Sequence, residues 1–221
     1  MSNKENINKL RHHPYFAALL DIVRKSGRII LDIYNDHDPK VLYKEDKSPL
    51  TKADLLSHNL ICKELSAISD IPIVSEESDE HYTKALTYWL IDPLDGTKDF
   101  IQGTGNYAMH LALNHKGKPL IGVVLIPEKN ELWISNGEKS WCEKRDGSLI
   151  KPNLSKSNIL QDMILVTSKN HNNETLKKLI QKINFNEVIV MGSIGCKITS
   201  IVRGESDLYI CLSLPGKSSP K

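Results

Sequence analysis

The chain has 221 residues, 40% of them hydrophobic, with 29 basic against 27 acidic side chains and a formal net charge of +2. That is enough apolar material for one large domain or two small ones, and too small a charge imbalance for general binding to a nucleic-acid polymer or a membrane surface. The N-terminal stretch through His13 is polar, without the apolar core of a signal peptide, and the longest apolar runs, such as residues 121–126, are far too short to span a bilayer. Cys62, Cys142, Cys196 and Cys211 are scattered, with no Cys-x-x-Cys pair. This pattern favours free thiols in a reducing cytoplasm over zinc ligation or a disulfide framework, so a soluble, cytoplasmic protein is expected.

In chain order, Phe16, Leu19, Leu20, Val23 and Ile30 recur at helical spacing between Asp21, Arg24, Lys25 and Arg28, which predicts an amphipathic first helix. Residues 40–48 read as a polar, charged loop and a candidate lid. Thr51 can cap a second helix carrying Leu56, Leu60, Ile61, Leu65 and Ile68. Strands at 71–74 and 88–91 each run directly into an acidic motif. Tyr107, Met109, Leu111 and Leu113 alternate with smaller or more polar residues, 114–119 reads as a turn and 120–126 as a buried strand. An antiparallel sheet in the first half follows. The second half alternates a helix at 174–183, a strand at 187–191, a helix at 194–203 and a strand at 207–211. The expected division is an α+β half over residues 1–150, with the lid loop and the antiparallel sheet, and a second α/β half over 151–221. Periodicity alone supports a mixed α and β class.

The most informative run is Trp89-Leu90-Ile91-Asp92-Pro93-Leu94-Asp95-Gly96-Thr97-Lys98-Asp99-Phe100. An apolar strand ends in two carboxylates on a turn that Pro93 stiffens, so Asp92, Asp95 and the Leu94 carbonyl can reach one small volume. All three are hard oxygen ligands of the kind Mg²⁺ prefers. Gly96 carries no Cβ to block a ligand, and the N–H groups of Gly96 and Thr97 point outward if a helix or turn begins there, making a cradle for phosphate. A plain surface turn is the bland alternative, but it requires neither the preceding strand nor Thr97. An EF-hand loop needs oxygen ligands where Pro93 and Leu94 stand. An aspartyl nucleophile would need a carboxylate in place of Pro93, so no phosphoenzyme is implied. Farther on, Gly192-Ser193-Ile194-Gly195 opens a helix after a strand and offers a weaker anion site.

This run resembles the signature of the inositol monophosphatase superfamily of metal-dependent, lithium-sensitive phosphatases. Two further segments agree in order and spacing. Lys44-Glu45-Asp46-Lys47-Ser48-Pro49-Leu50-Thr51-Lys52-Ala53-Asp54 resembles the family's mobile loop and following helix start, and Ile73-Val74-Ser75-Glu76-Glu77-Ser78 its Glu-Glu strand end. Residues 96–101, Thr167-Ser168-Lys169-Asn170-His171 and Gly192-Ser193-Ile194-Gly195-Cys196-Lys197 look closest to the 3'(2'),5'-bisphosphate nucleotidase branch, the CysQ type.

The resemblance implies a layered α/β/α/β/α sandwich of the inositol monophosphatase and fructose bisphosphatase type. It implies two or three Mg²⁺ ions on Glu76, Asp92, the Leu94 carbonyl and Asp95, with Asp92 bridging. Without a cation these carboxylates repel, which raises at least one pKa. Thr97, its hydroxyl bonded to Glu76 or Glu77, is expected to orient the attacking water, and Gly96 and Thr97 N–H groups to hold the phosphate. Asp46 on the loop is expected to place a third ion or activate water, and Asp54 to support a helix turn. Ser168, His171, Ser193 and Lys197 are expected to meet the substrate; a strand end, a loop residue and a solvated charge are the plain alternatives for Ser168, His171 and Lys197. The implied reaction removes the 3'-phosphate of adenosine 3',5'-bisphosphate to give AMP, with PAPS as a further substrate, in sulfur assimilation. An inositol-1-phosphatase or other small phosphomonoesterase is the alternative. The family's Trp-Asp segment, with its last metal ligand, would follow Lys221; on that expectation the second half is incomplete and a shortened, inactive relative is the third reading. A small phosphorylated substrate is the implied partner, and a homo-oligomer is compatible.

Overall fold

A computed structural model of the chain describes residues 15–78, 83–169 and 174–212. The chain divides into two compact units, residues 1–151 and 152–221.

The first unit opens with helix α1, Tyr15–Asn35, whose Leu19, Ile22, Val23, Ile30 and Ile33 are buried because they recur along one face of the helix. A two-stranded antiparallel hairpin follows, β1 Leu42–Tyr43 and β2 Pro49–Leu50, inside what the sequence presents as a loop. Helix α2, Lys52–Ile68, begins at Thr51 with a capping box. The Thr51 side chain accepts from the backbone of Ala53 and Asp54, and the Asp54 side chain accepts from Thr51 N–H. Reciprocal capping satisfies donors that the first helical turn leaves without partners. The helices pack together, tied by the buried Ser26 and Ser57 hydroxyls and by Lys25 Nζ, 3.0 Å from Glu64.

They cover a seven-stranded sheet in the order β3-β4-β5-β6-β7-β8-β9. Its strands are β3 Ile73–Ser75, β4 Thr87–Asp95, β5 Ala108–His115, β6 Lys118–Ile126, β7 Glu131–Ser135, β8 Ser140–Lys144 and β9 Leu149–Ile150. Every neighbour pair is antiparallel except β3 with β4. Alternation sends Trp89, Ile91, Met109, Leu111, Leu113, Ile121, Val123, Leu132 and Ile134 into one core with the helices. Each such side chain contributes about 1.5–3 kcal/mol on burial. The sequence reading did not extend the sheet past residue 126. It missed β7 because buried Glu131 interrupts the apolar pattern; the Trp133 indole N–H, donating to Glu131 Oε2 at 3.0 Å, satisfies that charge locally.

The second unit is a parallel three-stranded sheet in the order β11-β10-β12. It comprises β10 Ile164–Ser168, helix α4 Glu174–Ile183, β11 Glu187–Met191, helix α5 Ile194–Arg203 and β12 Leu208–Tyr209. Helix α3, Thr97–Ile101, is the single turn after β4 in the first unit. The last strand is shorter than the expected 207–211; at its start Asp207 N–H donates to the Ile164 carbonyl at 2.9 Å and the Asp207 side chain accepts from Ile164 N–H at 2.6 Å. Helix α5 ends at Gly204, in the left-handed region at φ 77°, a conformation that disfavours residues with a Cβ.

Candidate active site

Asp92 pairs with His110 and Asp95 with Ala108, and the register shifts between them. Three steps along β4 therefore match two along β5. In a regular strand, side chains three residues apart point to opposite faces. The extra residue of a β-bulge resets that alternation, so Asp92, Asp95 and His110 share one face. His110 Nδ1 lies 4.0 Å from Asp92 Oδ2 and Nε2 lies 3.5 Å from Asp95 Oδ2. The acidic motif is thus a bulge within a strand, not the turn after a strand that the sequence suggested. Pro93 is tolerated there because a bulge leaves a residue outside the ladder, where a missing N–H costs nothing. Leu94 N–H donates to Asp92 Oδ1 at 3.2 Å, and Ser57 Oγ donates to the Pro93 carbonyl at 3.4 Å.

Glu76 joins the same end of the sheet. Strand β3 runs parallel to β4 with Ser75 opposite Ile91, and Glu76 N–H donates to the Ile91 carbonyl at 3.1 Å. Burial, then the charges of Asp95 and Glu76, push the Asp92 carboxyl well above the usual carboxylate range. Burial lowers the His110 pKa, against the opposing charges of Asp95 and Glu76.

Lys44, from the turn of the β1–β2 hairpin, reaches the neighbouring acids. Its Nζ donates to Glu77 Oε1 at 2.8 Å and lies 3.5 Å from Glu76 Oε1. Burial lowers the Lys44 pKa, but its bond to Glu77 and the charges of both glutamates outweigh that and raise it. The expected lid is therefore a hairpin tied down by Lys44. Asp46 folds back into the hairpin's own turn, its Oδ1 accepting from Ser48 N–H at 2.9 Å and from Ser48 Oγ at 2.6 Å.

Thr97 follows Gly96, which turns the chain in the left-handed region at φ 92°, a conformation glycine adopts without strain. Thr97 Oγ1 lies 3.2 Å from Asp54 Oδ1 and 3.2 Å from the Leu94 carbonyl. This corrects the expectation that Glu76 or Glu77 would hold the Thr97 hydroxyl. The reason lies in the helix cap: Asp54 Oδ2 takes Thr51 N–H at 2.7 Å and the Thr51 hydroxyl, which leaves Oδ1 facing Thr97. Burial pushes the Asp54 carboxyl up to about 6, although the Thr51 and Thr97 bonds act in the opposite direction. Asp54 does support its helix turn, as expected, and it also holds the hydroxyl that the sequence reading singled out.

The donor set suits a hard divalent cation. Asp92, Asp95 and Glu76 gather oxygen and excess negative charge, and the Leu94 carbonyl keeps a second lone pair beside its Thr97 contact. Among the described residues, no three His, Cys, Asp or Glu side chains already stand as a closed cage. The mutual repulsion of Asp92, Asp95 and Glu76 is the conflict a cation would relieve.

In the second unit, Ser168, Ser193 and Lys197 lie at the carboxyl ends of the parallel strands, the edge at which such sheets bind ligands. His171 lies outside the described residues. Ser168 is buried, with its Oγ 3.4 Å from the Tyr209 hydroxyl. Ser193 caps α5, accepting from Cys196 N–H at 3.1 Å. Lys197 is 2% exposed and so is not a solvated charge; its Nζ donates to the Gly192 carbonyl at 2.8 Å and lies 5.3 Å from the Tyr209 ring centroid. Tyr209 escaped the sequence reading, since nothing local separates it from an ordinary strand residue.

The chain belongs to the inositol monophosphatase family, whose model matches residues 12–217, and is on that ground a phosphatase. Among curated proteins it is similar to the 3'(2'),5'-bisphosphate nucleotidase CysQ of Buchnera aphidicola subsp. Acyrthosiphon pisum (strain APS), at 35% identity over 196 residues, covering 86% of this chain and 72% of that protein. The same-named protein of Escherichia coli (strain K12) is 31% identical over 199 residues, covering 85% and 76%. Among solved structures, CysQ from Bacteroides thetaiotaomicron matches at 29% identity and a TM-score of 0.70, covering 86% and 76%. The extragenic suppressor protein suhB from Bartonella henselae matches at 22% identity and a TM-score of 0.77, covering 89% and 78%; at that identity it shows the shared fold alone. Family and mixed α/β fold class therefore agree with the sequence reading. Among the described residues, no helix is long and apolar enough to cross a membrane.

Proposed function

We propose that the chain is a Mg²⁺-dependent phosphomonoesterase that removes the 3'-phosphate of adenosine 3',5'-bisphosphate to give AMP, acts also on PAPS, and serves sulfur assimilation. The observation that carries the chemistry is the β4 bulge, which brings Asp92 and Asp95 to one face beside Glu76. The nucleotide substrate is taken from the likeness to the bisphosphate nucleotidases.

Glu76, Asp92, the Leu94 carbonyl and Asp95 would hold two or three Mg²⁺ ions, which supply Lewis-acid stabilisation of phosphoryl oxygens and a more acidic water. The chain's own groups do the positioning. Thr97, donating to Asp54, keeps lone pairs with which to accept from the attacking water and fix its direction. Asp54, with a pKa of about 6, is ionised at neutral pH yet basic enough to take up a proton through Thr97, the range that favours a general base. Gly96 and Thr97 N–H groups are assigned to the phosphate oxygens, and Asp46 to a third ion or to water. Ser168, His171, Ser193 and Lys197 are assigned to the substrate.

The test is phosphate release at saturating Mg²⁺ from adenosine 3',5'-bisphosphate and from inositol-1-phosphate. A specificity constant about tenfold or more in favour of the nucleotide, roughly 1.4 kcal/mol of discrimination, is expected. Equal constants would move the assignment to a general phosphomonoesterase, and no release from either by folded protein would support the inactive-relative reading.

A further inference from the structure

His110 is a residue that the metal-phosphate reading does not use. It stands opposite Asp92 in the β4–β5 register, on the face that the bulge gives to both aspartates. Both its ring nitrogens are turned to carboxylates, Nδ1 at 4.0 Å from Asp92 Oδ2 and Nε2 at 3.5 Å from Asp95 Oδ2. Nε2 is buried and has no hydrogen-bond partner. A buried ring nitrogen of this kind is uncommon unless something else is to meet it. The 3.5 Å spacing is informative. Two donors at about 2.0–2.2 Å from one ion stand about 3.0–3.5 Å apart, near the spacing of these two atoms.

Resting on the metal site of the proposed function, we infer that His110 is a nitrogen ligand of that site, making it a mixed nitrogen and oxygen centre. Such a centre favours divalent transition ions such as Co²⁺ and Mn²⁺ over Mg²⁺, because imidazole is a softer donor and Mg²⁺ keeps to oxygen and gives up water reluctantly. The neighbours on every side agree with this role: Asp92, Asp95 and Glu76 supply the anionic charge, and Val124, opposite His110 on β6, offers no competing donor.

The experiment titrates metal-free full-length protein with Co²⁺ alone and with Mg²⁺ alone by calorimetry, and records pulsed electron paramagnetic resonance of bound Mn²⁺. The wild type is expected to show imidazole ¹⁴N coupling to Mn²⁺. His110→Asn should lose that coupling and lower the ratio of Co²⁺ to Mg²⁺ affinity roughly tenfold or more, the lower end of what metal-site substitutions cost, with Mg²⁺ affinity changed less than about threefold. Mn²⁺ bound without nitrogen coupling, or an unchanged ratio in His110→Asn, overturns the role of His110 and leaves the carboxylate site standing. Failure of the folded wild type to bind any of the three ions overturns both. If His110→Asn does not fold, the wild-type nitrogen coupling together with His110→Gln decides the matter.

Discussion

Asp54→Asn isolates the cost of burying a carboxylate at the start of α2. The folded Asp54 pKa is raised to about 6, with burial as the largest cause, while an unfolded aspartate titrates near 3.9. Between these values the folded chain holds a proton that the unfolded chain has released. Stability from this group is therefore fully present below about pH 4 and is lost as pH rises through about 6. The shift corresponds to about 3 kcal/mol across that window. Asparagine has no such titration, and its amide oxygen can still accept from Thr51 as Asp54 Oδ2 does. Urea unfolding of both proteins in metal-free buffer from pH 4 to 7.5 gives a difference in stability from which the other carboxylates cancel. That difference should move by about 3 kcal/mol in favour of the variant as pH rises. A difference that stays flat within about 0.5 kcal/mol, or moves the other way, would refute the claim that burial outweighs the Thr51 and Thr97 bonds.

Asp92→Asn should split stability from function. Removing a charge that Asp95 and Glu76 oppose should raise the metal-free unfolding midpoint, by about 2–4 °C for each kcal/mol recovered. Mg²⁺-dependent phosphate release should fall by ~100-fold or more, and a calorimetric scan with a release assay checks both signs. Gly204→Ala should destabilise the protein by at least ~2 kcal/mol in urea unfolding, since a left-handed residue with a Cβ costs about 1–2 kcal/mol. Its Cβ would also stand 2.4 Å from the Asn153 carbonyl oxygen, which sits on backbone held by Val202.

Much of the local structure was legible because its causes are local. Helix α5 was read at residues 194–203 and β11 at 187–191, the spans observed, with Gly192-Ser193-Ile194-Gly195 read as the opening of the helix after the strand. The chemistry of Asp92 and Asp95 was legible too, since two carboxylates around a proline declare a hard-oxygen set. Their geometry was not, because a bulge is a property of two paired strands and neither β4 nor β5 encodes the register alone. The Thr97 to Asp54 bond spans 43 residues, and Asp54 already has a sufficient local reason to exist as the acidic partner of Thr51 in the capping box. His110 was concealed by ordinary strand alternation: Met109 and Leu111 on either side are buried core residues, so a polar residue between them reads as merely facing out.

The bulge in β4 also turns main chain into working groups. Trp89 and Ile91 face the core before it, and buried Leu94 faces the core within it, while Asp92 and Asp95 face away. A strand one residue shorter, reading Asp-Leu-Asp, would keep those orientations by simple parity. Its middle carbonyl, however, would point to the same side as the Ile91 carbonyl, toward the β3 edge where Glu76 N–H meets Ile91. As built, the Pro93 carbonyl is released to Ser57 on α2 and the Leu94 carbonyl to the Thr97 hydroxyl. The extra residue thus anchors the site to a helix and supplies an oxygen that no side chain provides. Substitution scanning, which holds chain length constant, is blind to that contribution.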